Sequence, residues 1–113
     1  MHELSLTEKL LKLVLAEAEA HQAKQITKIK IAIGDLSGIV EGSVETYFRL
    51  IAEPTIAAQA VLEFTRVRAN LFCSYCNHEF IKPASDFLCP DCGELGRLTD
   101  SGRECFVESI EVE

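Results

Sequence analysis

Residues 73–93 read CSYCNHEFIKPASDFLCPDCG, and this stretch decides how the rest of the chain is organised. Two residues separate Cys73 from Cys76 and Cys89 from Cys92, and twelve lie between the pairs. A two-residue gap lets both sulfurs of a pair reach one ion at about 2.3 Å, and two such knuckles complete a tetrahedron. Pro90 fixes one backbone angle of the second knuckle, and Gly93 can take the left-handed conformation there at little cost. The alternatives are two disulfides or a dithiol redox pair. The start of the chain lacks the basic region of a secretory signal, and its apolar residues are interleaved with Thr7, Glu8, Lys9 and Lys12. A cytoplasmic, reducing location is therefore expected, which disfavours disulfides, and a single redox pair would not require the duplicate. Zinc is the expected ion, with iron as its chemical competitor because tetrahedral sulfur suits either metal. Four protein ligands close such a site, so it stabilises structure and does not catalyse.

Outward from the knuckles, residues 69–102 contain two prolines and no helical periodicity. A segment with so little apolar material cannot build its own core, and a metal replaces one. The flanks read differently. Residues 5–22 predict a helix, with Ser5 and Glu8 as a capping box and Leu6, Leu10, Leu13, Val14 and Ala18 on one face. Ile29, Ile31 and Ile33 alternate with Lys28, Lys30 and Ala32 as in a half-buried strand, and Gly34 and Gly38 bracket a turn. Residues 43–53 predict a second helix, with Ser43 as N-cap, Val44, Tyr47, Phe48 and Ile51 on one face, and Pro54 as its stop. In a second strand Leu62 and Phe64 alternate with Val61, Glu63 and Thr65. In a third, Phe106, Ile110 and Val112 alternate with Val107, Ser109 and Glu111, and Glu108 interrupts the apolar side. The expected fold is α+β: a small sheet of about three strands with two helices, plus an inserted four-cysteine zinc-ribbon-like module. Residues 1–68 with 103–113 form one domain in this reading, and 69–102 the other. Cys105, outside the knuckles, is expected as a small buried hydrophobe.

The 113 residues are 48% hydrophobic and 26% charged, ordinary values for a globular chain, and carry a net charge of −7. That sign argues against nucleic acid, whose binding needs clustered Lys and Arg. No run approaches the ~18 apolar residues that span a bilayer, so no membrane association is expected. No Ser-His-Asp set, glycine-rich phosphate loop or paired carboxylates appear, and an enzyme is not expected.

One of the three histidines is His2. Taken alone, such a residue is a solvated terminal side chain. Its position nonetheless allows the Met1 amine, the His2 amide nitrogen and the imidazole to close adjacent chelate rings, with the Glu3 amide nitrogen as a fourth donor. A planar, nitrogen-rich set of this kind suits Ni(II) or Cu(II). His21 suits the end of the first helix, and His78 a solvated loop.

Taken together, Met1-His2-Glu3-Leu4-Ser5-Leu6, Ile33-Gly34-Asp35-Leu36-Ser37-Gly38, the two knuckles and the ending Glu108-Ser109-Ile110-Glu111-Val112-Glu113 resemble the hydrogenase maturation nickel chaperones of the HypA/HybF type. The resemblance spans the chain. It implies an α/β nickel-binding domain joined to a zinc domain, and delivery of Ni(II) to the maturing [NiFe] hydrogenase large subunit, and in some organisms towards urease, with a GTPase of the same pathway. It makes His2 the nickel ligand, with Glu3 and the Met1 amine contributing, and it assigns Cys73, Cys76, Cys89 and Cys92 to zinc. Some members use an acid just before the second helix; Val40 stands there, with Glu41 beside it. Others carry a histidine-containing insertion in the zinc region, for which twelve residues leave no room. The competing reading is a zinc-ribbon adaptor that binds proteins without handling nickel. Monomer and homodimer are both open at this stage.

Overall fold

The computed structural model describes residues 3–113. Helix α1 (Glu3–Ala20) buries Glu3, Thr7, Leu10, Leu11, Val14 and Ala18, a stripe at steps of three and four. Two expectations change here. The helix begins before Ser5, so Ser5 is an interior residue and no capping box forms. Leu13 is 55% exposed and Leu11 takes its place inward. The stripe runs through Thr7 and Leu11, whose hydroxyl and aliphatic chain both face the core; the Thr7 hydroxyl donates to the Glu3 carbonyl and so is satisfied. The helix ends at Ala20, two residues early, because Gln22 turns left-handed (φ 54°) and Ala23 N–H closes back on the Ala18 carbonyl at 2.9 Å.

Strand β1 (Ile26–Gly34) is central, and helix α2 (Glu41–Ala52) connects it to strand β2 (Val61–Val67), which runs parallel to it. Helix α2 starts at Glu41, with Val40 as an N-cap that makes no side-chain bond; the expected Ser43 cap lies inside the helix. The glutamate in the first turn suits the helix dipole, and Arg49 in the last turn pairs with Glu45 and donates to the Ala58 and Ala60 carbonyls. The Ile26, Ile29, Ile31 and Ile33 side chains join Leu10, Val14, Val44 and Phe48 in one core between sheet and helices. On the other face Lys28 and Lys30 flank Glu63 at 3.4 and 3.9 Å.

After β2 the chain leaves this sheet and forms a second, of order β4-β3-β5, from β3 (Asn70–Cys73), β4 (His78–Ile81) and β5 (Arg97–Leu98). It then returns as β6 (Cys105–Val112), antiparallel to β1 on the side away from β2. Ile29 faces Ile110 and Lys30 faces Ser109, but Ile31 faces Val107, leaving Glu108 as a bulge. A one-residue insertion moves the following side chains to the opposite face. Cys105 and Val107 therefore accompany Ile110 against the core, and Phe106, expected on the apolar side, is 46% exposed. Two helices and two three-stranded sheets match the expected class, with one more sheet than the strand signals alone located.

The two linkers cross beside the end of β1. Asp35 N–H donates to the Val67 carbonyl and Leu36 N–H to that of Gly102, so the loop entering α2 is tied to both linkers. A Cβ on Gly34 would overlap the Gly102 carbonyl and lie 2.9 Å from the Arg103 nitrogen. These neighbours are main chain and cannot swing away. Gly34→Ala is expected to cost about 2–3 kcal/mol, seen as a fall of about 1 M or more in the urea midpoint.

Candidate metal centre

Each knuckle is a turn that follows its first cysteine. Asn77 N–H donates to the Cys73 carbonyl at 2.7 Å, and Gly93 N–H donates to the Cys89 carbonyl at 2.8 Å. The donors stand four residues after those cysteines and both are left-handed, with φ 60° and 77°. Glycine takes this conformation without strain and asparagine is the side chain that tolerates it best, so the two knuckles share one geometry under different sequences. Gly93 was legible from sequence. The matching role of Asn77 was not, although its spacing from Cys73 carried the signal.

These turns bring all four sulfurs within 4.8 Å of one another, with Cys73 Sγ and Cys92 Sγ 3.6 Å apart. A tetrahedral ion with sulfur ligands at about 2.3 Å requires sulfurs roughly 3.8 Å apart. The donor set thus fits one tetrahedral metal ion. Cys73 and Cys89 are buried with Leu71 and Phe80, and the small cluster is completed by Cys76. Without a cation the thiols cannot all ionise. The Cys76 backbone N–H, 3.3 Å from Cys73 Sγ, draws the Cys73 thiol down to about 7. The hydrogen bonds Cys76 shares with Cys92, together with burial, push Cys76 up to about 12. One thiolate forms readily and its charge holds the next proton in place.

His78, expected as a solvated loop residue, opens β4 and reaches the second knuckle: its Nε2 lies 3.2 Å from Asp91 Oδ2. The Glu79 carbonyl at Nδ1, and then Asp91, hold the imidazole above its ordinary value. This exposed pair links the two halves of the module. Cys105 stands apart, packed against the main core, where burial raises its thiol.

Of the expected N-terminal ligands, Met1 and His2 lie outside the described residues. Glu3 is the first residue of α1 and is buried; its Oε2 accepts from Val40 N–H at 3.3 Å, which seats the start of α1 against the entrance of α2. The adjoining cleft, of about 470 Å³, is lined by Ile39, Val40, Glu41, Gly42 and Arg66. Val40 is exposed, and the Glu41 carboxylate lies 3.9 Å from the Arg66 guanidinium, which also lies 3.7 Å from Asp35. The acid beside Val40 is thus paired with a cation.

Among the described residues no helix is long and apolar enough to cross a membrane. Residues 1–112 match the family described as hydrogenase/urease nickel incorporation, metallochaperone, HypA. The hydrogenase maturation factor HypA of Caldanaerobacter subterraneus subsp. tengcongensis is 44% identical over 114 residues, covering 100% of both chains. That of Dehalococcoides mccartyi strain CBDB1 is 42% identical over 113 residues, 100% of this chain and 95% of the relative. The solution structure of the Ni metallochaperone HypA from Helicobacter pylori superposes with a TM-score of 0.69 at 27% identity, covering 99% of this chain and 97% of that one.

Proposed function

Because the chain belongs to the HypA family of hydrogenase and urease nickel-incorporation metallochaperones, we propose that it carries Ni(II) at its N-terminus and holds zinc at its four cysteines. It is a maturation factor and not an enzyme. The observation that carries the division of labour is the cysteine cluster itself. Its four sulfurs lie within 4.8 Å of one another, so they fill a tetrahedron and leave no position for cargo. Nickel that must be handed on needs another, open site.

The N-terminus supplies one. Helix α1 begins at Glu3, so the Glu3 main-chain N–H is among the first four, which have no partner inside the helix. That nitrogen can lose its proton and join the Met1 amine, the His2 amide and the His2 imidazole around a planar ion. The positive end of the helix dipole lowers the cost of the amide anion. The Glu3 carboxylate, bonded to Val40 N–H, acts as a positioning group that steadies the helix start. The chain divides accordingly into a nickel domain, residues 1–68 with 103–113, and a zinc domain, residues 69–102. It works in the cytoplasm, with a maturation GTPase and the [NiFe] hydrogenase large subunit as partners.

Isothermal titration of Ni(II) into zinc-loaded, untagged protein tests this reading. One nickel per chain is expected, and it is lost when the N-terminal amine is blocked. No binding by the native protein would favour a zinc-ribbon adaptor.

Zinc binding has a pH signature. Below about 7 the Cys73 proton must be displaced along with that of Cys76, whereas above 7 Cys73 is already a thiolate. Apparent zinc affinity is therefore expected to weaken as pH falls, and to weaken by a further factor of about tenfold per pH unit below 7. Competition with a chromophoric chelator between pH 6 and 8 reads the slope.

A further inference from the structure

Strand β6 is an edge strand: β1 lies on one side, and no described strand lies on the other. In a β-ladder alternate main-chain groups point away from the neighbour, so this edge offers unpaired donors and acceptors. A groove of about 470 Å³ runs beside it, walled by α1. Its floor is apolar, made by Leu13, Val14, Val107, Ile110 and Val112, with Leu13 55% and Val112 39% exposed. Leu13 has the hydropathy of a core residue and stands one position from the buried stripe, yet it is turned towards this groove. The rim carries Glu17 and Glu108; beside it the imidazole of His21 lies 3.2 Å from the Glu17 carboxylate.

We propose that this groove docks another protein, which lays an extended segment along β6 as a fourth strand, with aliphatic side chains alternating with lysine or arginine. Main-chain bonds to the edge supply affinity that any sequence could use, and the pockets and rim supply selection. The aliphatic side chains meet Leu13, Val107 and Ile110. The cationic ones reach the rim at Glu17 and Glu108, on a chain whose net charge is −7. A second copy of this chain is a poor occupant. In the near-central antiparallel register, which sets Ser109 opposite Ile110, Glu108 of each copy would face Glu111 of the other, and like charges across a ladder repel. These like charges discourage self-association and leave a basic strand favoured.

The test uses the full chain, zinc-loaded and nickel-free, so its result is independent of the nickel reading. The probe is the peptide acetyl-Lys-Val-Lys-Val-Lys-Val-Lys-amide, with its Glu-for-Lys counterpart as control, followed by amide NMR shifts and hydrogen exchange at low salt. The basic peptide is expected to shift and protect amides of residues 107–112 and to weaken as salt rises. Leu13→Ser, on an exposed side chain, is expected to weaken it at least fivefold without changing the fold. The pair Glu17→Lys with Glu108→Lys is expected to transfer the preference to the acidic peptide. The proposal is overturned if β6 amides do not respond, if both peptides bind equally, or if Leu13→Ser has no effect. A concentration-dependent dimer that Leu13→Ser dissolves would assign the groove to a second copy and overturn it as well.

Discussion

His2→Ala is expected to lower nickel affinity by more than a hundredfold while leaving the fold intact. Loss of an outer-shell contact at a metal site costs about 10–100-fold, and loss of the imidazole removes a direct ligand together with its chelate ring. Little else should change. The substitution leaves untouched the buried stripe of α1 that runs from Glu3 through Thr7, Leu10, Leu11, Val14 and Ala18. The cysteine cluster draws all its ligands from residues 73–92. Nickel titration, zinc stoichiometry and a thermal melt on the same preparation separate these effects. Retained nickel affinity in the variant would refute the N-terminal site, and a lowered melting temperature would show that position 2 also supports the helix.

Cys73→Ser should have the larger structural effect, confined to one module. Ordering the module costs backbone entropy along its whole length. Against this the fully apolar side chains buried in its core cluster are Leu71 and Phe80, beside the cysteines. A core this small leaves the metal as the main tie between the two knuckles. The variant is expected to lose its zinc and the exchange protection of β3, β4 and β5, while β1 and β2 keep theirs, since α1, α2 and the isoleucine core lie in the other cluster. Hydrogen exchange resolved by segment reads both. Protected amides at Phe72 and Phe80 in the metal-free variant would show that the module folds on side-chain packing.

The cysteine spacing and the isoleucine alternation carried most of the architecture because each depends on contacts close in sequence. Two helices, the central strand and the inserted module were legible for that reason. The early end of α1 is local, set by the turn at Gln22, but the errors at Ser43, Leu13 and Phe106 have long-range causes. Ser43 looked like a cap, but α2 starts at Glu41, where the loop is tied to both linkers and where Glu3, 37 residues earlier, accepts from Val40 N–H. Leu13 and Leu11 are indistinguishable by hydropathy, and only the position of the sheet decides which points inward. The face of Phe106 depends on a bulge, which local alternation registered only as an interruption at Glu108. At the metal centre the four cysteines were legible, whereas the Asn77 turn and the His78–Asp91 pair needed the two knuckles in three dimensions. The nickel ligands rest on the N-terminal motif, its family and the chelating capacity of His2.

The return of β6 to β1 bears on how the molecule is assembled during synthesis. Helix α1, β1, α2 and β2 emerge from the ribosome in order and can pack as they appear, but one flank of β1 stays open until β6 has emerged. Thr27 bonds to the Glu111 carbonyl across 84 positions, so this pairing is the least local in the first sheet. An unformed cysteine module would make that closure a search with a long flexible loop, whose entropic cost grows with its length. In the folded module Asn70 N–H meets the Ser101 hydroxyl at 2.8 Å, so its two ends lie together and it acts as a short connector. In a newly made chain, the supply of metal to the knuckles is therefore expected to set the pace at which β1 gains β6 as its neighbour.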